Sequence, residues 1–416
     1  MSARGSDIGI CRSCSSELLE PVLDLGETPL ANRLLDPGER GAEEPRHPLE
    51  LLFCPRCTLV QLRRTVDPAE LFGHYLYHSS VSPALLAHSE AHARELVRRR
   101  GLGPDSLVVE AASNDGYLLQ YVRGAGVPVL GVEPAANLAR LAEARGVPTR
   151  CRFFDRACAA ELRGEGLRAD VFLGNNVLAH AADLHGFVAG IREVLKPDGL
   201  AELEVPYVGD LVERLEFDTI YHEHLCYFSL TAVQVLFRRH GLRLADVERL
   251  PIHGGSLRVA AVPARAEADP AGLSRVVALL AEERARGMDS AAFYAGLAPR
   301  VAALRGELRE LLEGLRRGGA RIAAYGASAK GSTLLNCFGI GADLLEWVVD
   351  RSPHKQGRLT PGTQLEIRTP ATLLEEAIDY ALLLTWNFAE EILAEQSAWR
   401  NAGGRFIVPL PAVAIL

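Results

Sequence analysis

The sequence predicts an α/β protein in three parts: a small metal-binding N-terminal domain (residues 1–66), a central doubly wound, Rossmann-like domain (67–262, with a helical lead-in over 67–100), and a smaller Rossmann-like α/β domain (263–416). Three observations lead there. Two Cys-x-x-Cys pairs lie in a stretch full of prolines, glycines and turn residues. Between about 101 and 250, apolar strand-like runs alternate with helical patterns, the rhythm of a parallel sheet with crossover helices. That rhythm restarts near residue 321 after a helical stretch. A chain of 416 residues exceeds one ordinary domain, and a composition 48% hydrophobic and 24% charged supplies several cores.

Composition also excludes some functions. The net charge of −8 argues against a polyanion such as nucleic acid as the main partner. No run of about 18 apolar residues suggests a membrane span. The first residues lack the apolar segment of a secretory signal, so the expected compartment is the cytosol. Only Lys196, Lys330 and Lys355 are lysines among the 45 basic residues, which makes a lysine in a glycine-rich turn noticeable. Oligomeric state is left open, and a monomer is compatible.

In the N-terminal part, Cys11-x-x-Cys14 and Cys54-x-x-Cys57 each form a knuckle that places two thiolates on one ion. The 39 residues between Cys14 and Cys54 can be closed by a small sheet. A segment with so little core of its own gains from a metal staple, so structural zinc is the expectation, ahead of a redox dithiol. Four thiolates leave no open position for water, which disfavours catalytic zinc. A ribbon of this kind can bind nucleic acid, but residues 1–66 carry 8 Arg against 10 Asp and Glu. Cys151, Cys158, Cys226 and Cys337 read as small buried hydrophobes. Residues 71–80, rich in aromatics and hydroxyls without helical period, suit a loop beside a site or plain packing. Pro83 then opens an arginine-rich helix.

In the central part, Leu107–Glu110 reads as a buried strand, Ser113–Gly116 as a turn and Tyr117 as a helix start. Strands follow at Val129–Glu133 and Asp170–Asn175. After a turn at Lys196-Pro-Asp-Gly199 comes another at Gly199–Val205, then an antiparallel pair, Leu242–Glu248 and Ser256–Val262. Ligands of such sheets sit at the carboxyl ends of the strands. The turn Ser113-Asn114-Asp115-Gly116 lets the backbone approach a ligand, Glu133 can accept from both ribose hydroxyls, and Asn175 ends a neighbouring strand. These residues suit NAD or S-adenosylmethionine. Without a G-x-G-x-x-G there is no evident pyrophosphate cradle, so the phosphate-free methyl donor fits better.

In the C-terminal part, an amphipathic stretch near 289–317 reads as a packed, solvated helix. Arg321–Tyr325 is expected as a strand running into Gly326-Ala-Ser-Ala-Lys-Gly-Ser332, with further strands at Leu345–Asp350 and Tyr380–Thr385. The glycine-rich turn offers amide N–H groups, a helix N-terminus and Lys330, a set suited to phosphate.

These motifs, in order, resemble the deoxysugar C-methyltransferases of antibiotic biosynthesis. The resemblance runs through both Cys pairs, Glu110-Ala-Ala-Ser-Asn-Asp-Gly-Tyr-Leu-Leu119, Asn176-Val-Leu-Ala-His180 and Glu204-Val-Pro206. It continues through Phe217-Asp-Thr-Ile-Tyr-His-Glu-His224 with Tyr227-Phe-Ser229, His253-Gly-Gly-Ser-Leu-Arg258 and Tyr325-Gly-Ala-Ser-Ala-Lys-Gly331. It implies a zinc-binding domain, a central class I methyltransferase domain binding S-adenosylmethionine, and a C-terminal domain that helps hold a TDP-linked keto-deoxysugar. It further implies zinc on Cys11, Cys14, Cys54 and Cys57, and the donor on residues 113–116 and Glu133. Tyr75, His180, Tyr221, Glu223 and His224 would line the reacting sugar, and His253, Gly254, Gly255 and Ser256 with Lys330 would contact the substrate. Ala111 and Ala112 depart from the wider methyltransferase pattern, which has glycines there.

C-methylation needs a carbon made nucleophilic beside a carbonyl, hence a base poised near neutral pH and a donor to the enolate oxygen. Histidine meets the first need, with His224 preferred over His222, and Tyr221 or another histidine meets the second. If the segment is extended, His222 and His224 share one face and Tyr221 and Glu223 the other. The rival readings are a nicotinamide-dependent sugar-nucleotide oxidoreductase using Gly326–Gly331 and Asp350, and a zinc-ribbon interaction module.

Overall fold

The structure, a computed structural model, describes residues 6–72 and 78–416. Near the N-terminus, strands Glu20–Thr28, His47–Phe53 and Val60–Leu62 pair antiparallel. A fourth strand, Cys226–Tyr227, comes from the central part of the chain and pairs Cys226 with Gln61 and Tyr227 with Val60. Each Cys knuckle closes by the same device. The N–H of Ser15 donates to the Cys11 carbonyl and that of Thr58 to the Cys54 carbonyl, and both residues sit in the left-handed region, at φ 58° and 60°.

The central sheet has seven strands. In spatial order they are Leu242–Leu250, Ser256–Pro263, Leu195–Pro206, Ala169–Asn175, Val108–Ala111, Val129–Val132 and Thr149–Arg150. The last five are parallel and the first two form the antiparallel edge. Every residue of Val108–Ala111 is buried, as helices on both faces of a parallel sheet require. Strand order reverses between Val108–Ala111 and Ala169–Asn175, and the crevice at such a reversal is where ligands bind.

Helix Pro83–Arg100 is capped by Ser82, whose hydroxyl accepts from the Leu85 N–H, and ends on Gly101 at φ 59°. His88 and His92, one turn apart, meet Glu204 and Glu202, two residues apart on one face of a strand, each at 2.9 Å. Helix Pro270–Ala285 sends Glu283, which is buried, to the N–H groups of Leu230 and Thr231 at 2.7 and 2.9 Å, closing the start of helix Leu230–Arg239.

The C-terminal sheet has six strands in the order Ile367–Arg368, Val348–Val349, Ile322–Tyr325, Tyr380–Leu383, Arg405–Val408 and Ala414–Ile415, parallel except for the last. Among the described residues, no helix is long and apolar enough to cross a membrane.

Several local expectations shift. The Lys196–Gly199 turn is absorbed into the long strand as an irregularity between Leu195 and Leu200. The helix expected from Tyr117 starts at Leu119, because the preceding loop turns through left-handed residues first. The stretch 289–317 is two helices, Ala291–Tyr294 and Leu297–Arg317. The strand expected over Leu345–Asp350 shortens to Val348–Val349. Cys158 and Cys226 are buried as expected, but Cys151 is exposed and Cys337 half-buried.

Candidate active site

One cavity of about 740 Å³ is walled by all three parts of the chain: Asn32 from the first, Asn114, Glu133 and Asn175 from the second, and Gly326–Lys330 with Asp350 from the third. His180, Tyr221 and His224 line it as well.

At one end, Ala112 and Asn114 stand at φ 53° and 52°. The loop therefore takes a left-handed path without the glycines a wider pattern would place there, at a cost of about 1–2 kcal/mol per residue. The Asn114 N–H donates to Glu133 Oε2 at 2.9 Å and the Ala135 N–H to Oε1 at 2.8 Å. Burial pushes the Glu133 carboxyl up, and these two amides work against it. The pair fixes the carboxylate and leaves further lone pairs for a diol. Asn175 Oδ1 is buried and has no protein partner, an acceptor for a polar ligand atom. These residues fit the ribose end of S-adenosylmethionine.

Ser113, Asp115 and Gly116 stand behind this wall. Ser113 packs over Gly131, where a Cβ would lie 2.4 Å from its Oγ. Asp115 pairs with Arg145 at 2.9 Å. Gly116, at φ 79°, faces Val147, which a Cβ would crowd at 3.1 Å.

In the middle, residues 221–224 form a turn and not an extended strand, with the His224 N–H donating to the Tyr221 carbonyl at 2.9 Å. The turn replaces the expected two-faced arrangement and brings Tyr221 and His224 together: Oη lies 2.8 Å from Nε2 and the ring centroids are 4.0 Å apart. His224 Nδ1 is 2.8 Å from the Thr219 carbonyl. A carbonyl only accepts, so Nδ1 carries the proton and Nε2 is the basic nitrogen, accepting from the tyrosine hydroxyl.

The His180 ring meets the His224 ring edge-on at 4.8 Å. Burial lowers His180 to about 4, against a hydrogen bond to the Glu223 backbone, so it is neutral at physiological pH. His222 turns away from the cavity: its Nε2 lies 3.2 Å from the His47 carbonyl, and burial lowers it to about 4. Glu223 also lies off the cavity and accepts from Asn32 Nδ2 at 2.7 Å. Tyr75 and the side chain of His253 lie outside the described residues.

At the far end, Ser328 caps helix Ala329–Phe338, its Oγ accepting from the Gly331 N–H at 3.1 Å. Gly326, at φ 100°, passes under Thr385, where a Cβ would lie 2.5 Å from the side chain. Asp350 Oδ2 accepts from the Ala327 N–H at 2.9 Å, and Lys355 donates to the Ala327 carbonyl at 2.8 Å. Lys330 Nζ lies 4.6 Å from the centre of the Trp386 ring. Gly254, Gly255 and Ser256 do not reach the cavity. Gly254 lies against the Glu216 carboxylate, Gly255 against Asp210, and the Ser256 hydroxyl donates to the Ile252 carbonyl at 3.2 Å.

Away from the cavity, the sulfurs of Cys11, Cys14, Cys54 and Cys57 lie within 4.8 Å of one another, with Cys11–Cys57 at 3.4 Å and Cys14–Cys54 at 3.5 Å. Tetrahedral zinc with bonds near 2.3 Å needs sulfurs about 3.8 Å apart, so this buried set fits the ion.

Sequence reasoning missed Asn32, Thr219, Asp218 and Trp386. Asn32 reaches the cavity across 191 residues from its partner Glu223. Thr219 acts through its carbonyl, which no side-chain pattern reveals.

Three family models match in succession: a zinc binding domain over residues 11–72, a methyltransferase domain over 85–247, and a C-methyltransferase C-terminal domain over 251–411. The C-methyltransferase NovU of Streptomyces niveus is 40% identical over 403 residues, covering 96% of this chain and 95% of NovU. Among solved structures, magnesium protoporphyrin IX methyltransferase from Synechocystis shares 14% identity over 47% of this chain and 91% of its own, at a TM-score of 0.35. The glycopeptide N-methyltransferase MtfA shares 16% over 42% of this chain and 95% of its own, at 0.34. The chain thus belongs to the C-methyltransferase family, joining a zinc-binding domain with a four-cysteine cluster to the class I fold of S-adenosylmethionine-dependent methyltransferases and a C-methyltransferase C-terminal domain.

Proposed function

We propose that the protein methylates a carbon of a TDP-linked keto-deoxysugar through an enolate, with His224 as the base. The observation that carries this reading is the Thr219–His224–Tyr221 chain on the wall of a cavity that Glu133 and Lys330 also line. S-adenosylmethionine supplies the electrophilic methyl group, and Glu133 and Asn175 would hold it. Lys330, at the start of helix Ala329–Phe338 on the cavity wall, suits the substrate's diphosphate.

At rest the Tyr221 hydroxyl occupies His224 Nε2. A keto oxygen placed against Tyr221 accepts that O–H instead and frees the nitrogen. His224 Nε2 then takes the proton from the carbon beside the carbonyl, while Tyr221 donates to the developing enolate oxygen. The Thr219 carbonyl, bonded to Nδ1–H, stabilises the imidazolium. Neutral His180 beside it adds no competing positive charge. The four-thiolate site would serve structure, since its donor set is closed. Eight cysteines free of disulfides suit work in the reducing cytosol.

The test is transfer of isotopically labelled methyl from S-adenosylmethionine to a TDP-keto-deoxysugar. Label on a sugar carbon is expected, and label on oxygen or nitrogen rejects the reading. The enolate step has its own readout: deuterium from solvent enters the carbon beside the carbonyl with the wild-type protein and not with His224→Ala.

A further inference from the structure

Asp218 lies in the turn Phe217–Thr219, one residue before the carbonyl that orients His224. Its side chain is fully buried and stays off the cavity wall. One carboxylate oxygen accepts from the Trp386 indole N–H at 2.7 Å, across 168 residues of sequence. Trp386 begins the turn Trp386–Phe388, beyond strand Tyr380–Leu383 of the C-terminal sheet, and it too stays off the cavity wall. The face of its ring meets Lys330 Nζ at 4.6 Å, and Lys330 does line the cavity. Carboxylate, indole and ammonium therefore stand in series, ending where an anion would bind.

The chemistry of the series is cooperative. An indole whose N–H donates to a carboxylate is richer in π-electron density, and that density attracts the ammonium on its face. Asp218 also acts on Lys330 through space. Burial pushes its carboxyl up, and the Lys330 charge is the leading influence that pulls it back.

We propose that Asp218 is a positioning residue for the diphosphate of the sugar nucleotide, holding the Lys330 ammonium at the cavity wall through Trp386. Because Asp218 is bonded directly to Thr219, the same short segment ties this anion-binding end to the tautomer of His224. The inference rests on the reading of Lys330 as a phosphate ligand, so the experiment separates the two.

Thymidine diphosphate is titrated calorimetrically into the full-length, zinc-loaded chain and into Lys330→Met, Asp218→Asn, Trp386→Phe and the double variant Lys330→Met/Asp218→Asn. Lys330→Met should weaken binding by about tenfold or more, and Asp218→Asn and Trp386→Phe by about three- to tenfold each. The double variant should bind no more weakly than Lys330→Met alone, because Asp218 acts only through the ammonium. In turnover, Asp218→Asn and Trp386→Phe should raise KM for the sugar nucleotide, with the affinity for S-adenosylhomocysteine unchanged. Wild-type affinity in Lys330→Met would overturn the phosphate reading itself. Weakening in Lys330→Met with wild-type affinity in the other two, or losses that add in full, would overturn the positioning role alone. Should Asp218→Asn fail to fold, Trp386→Phe, which removes the N–H link together with part of the ring face, decides the matter: wild-type affinity in it overturns the series.

Discussion

At the scale of single residues, the site depends on which histidine nitrogen is basic. His224 has Nδ1 tied to a carbonyl and Nε2 to the Tyr221 hydroxyl, whereas His222 is spent on the His47 carbonyl in a buried corner. Replacing His224 by Ala should lower methyl transfer by about 10²–10⁴-fold while S-adenosylhomocysteine binds as before, measured by turnover and calorimetry. Tyr221→Phe should lose about 10²-fold in kcat, because only the enolate-oxygen donor is removed.

Glu216 offers a pH test. Burial pushes its carboxyl to about 7, with the Lys330 charge acting against. The folded chain then holds a proton that the unfolded chain releases, so stability falls as pH rises from about 4.5 to about 7. Buried His180, lowered to about 4, acts in the opposite sense between there and 6.5. Comparison with Glu216→Gln cancels that contribution. The variant should gain on the wild type across this window, by up to about 3 kcal/mol at pH 7 and above, as read from denaturant midpoints. A pH-independent difference would refute the assignment.

At the scale of elements, caps and cross-links hold the Tyr221–His224 turn between its neighbours. Ser229 caps helix Leu230–Arg239 by accepting from the Ala232 N–H at 3.1 Å, and its hydroxyl lies 3.3 Å from Thr58, just past the second Cys knuckle. Ser229→Ala should cost about 1–2 kcal/mol, since the cap and the buried Thr58 hydroxyl lose their partner together. Urea unfolding with an unchanged m-value checks it. The longer strands of the central sheet were legible as apolar runs, whereas helix Leu230–Arg239 beside this point was not read. The turn at 221–224 was not legible, because a polar run such as Tyr-His-Glu-His fits an extended or a turned backbone equally well. Its conformation follows from anchors at both ends: the buried turn Phe217–Thr219 on one side and strand Cys226–Tyr227 on the other.

At the scale of the whole molecule, the Tyr221–His224 turn runs directly into the sheet of the four-cysteine domain. Strand Cys226–Tyr227 starts two residues after His224 and completes the sheet that carries the second knuckle. One zinc per chain is expected by elemental analysis. Chelation or Cys57→Ser should lower the melting temperature and reduce methyl transfer more strongly than donor binding. The reason is that Glu133, the proposed donor ligand, follows a strand of a different sheet. Equal loss of donor binding and turnover would contradict this coupling.

The sequence alone determined what depends on local spacing and period. The two Cys knuckles, the βαβ rhythm of both sheets, the acid after the second central strand and the glycine-rich turn with its lysine are each contained in a few consecutive residues. Tertiary structure decided what depends on convergence. It selected Asn114, Glu133 and Asn175 for the cavity wall and placed Ser113, Asp115 and Gly116 behind it. It joined Asn32 to Glu223 and Asp218 to Trp386 across more than 160 residues each. It also assigned the proton on His224 through a backbone carbonyl. Such contacts are made by packing between sheets, and packing leaves no period in the chain from which it could be read.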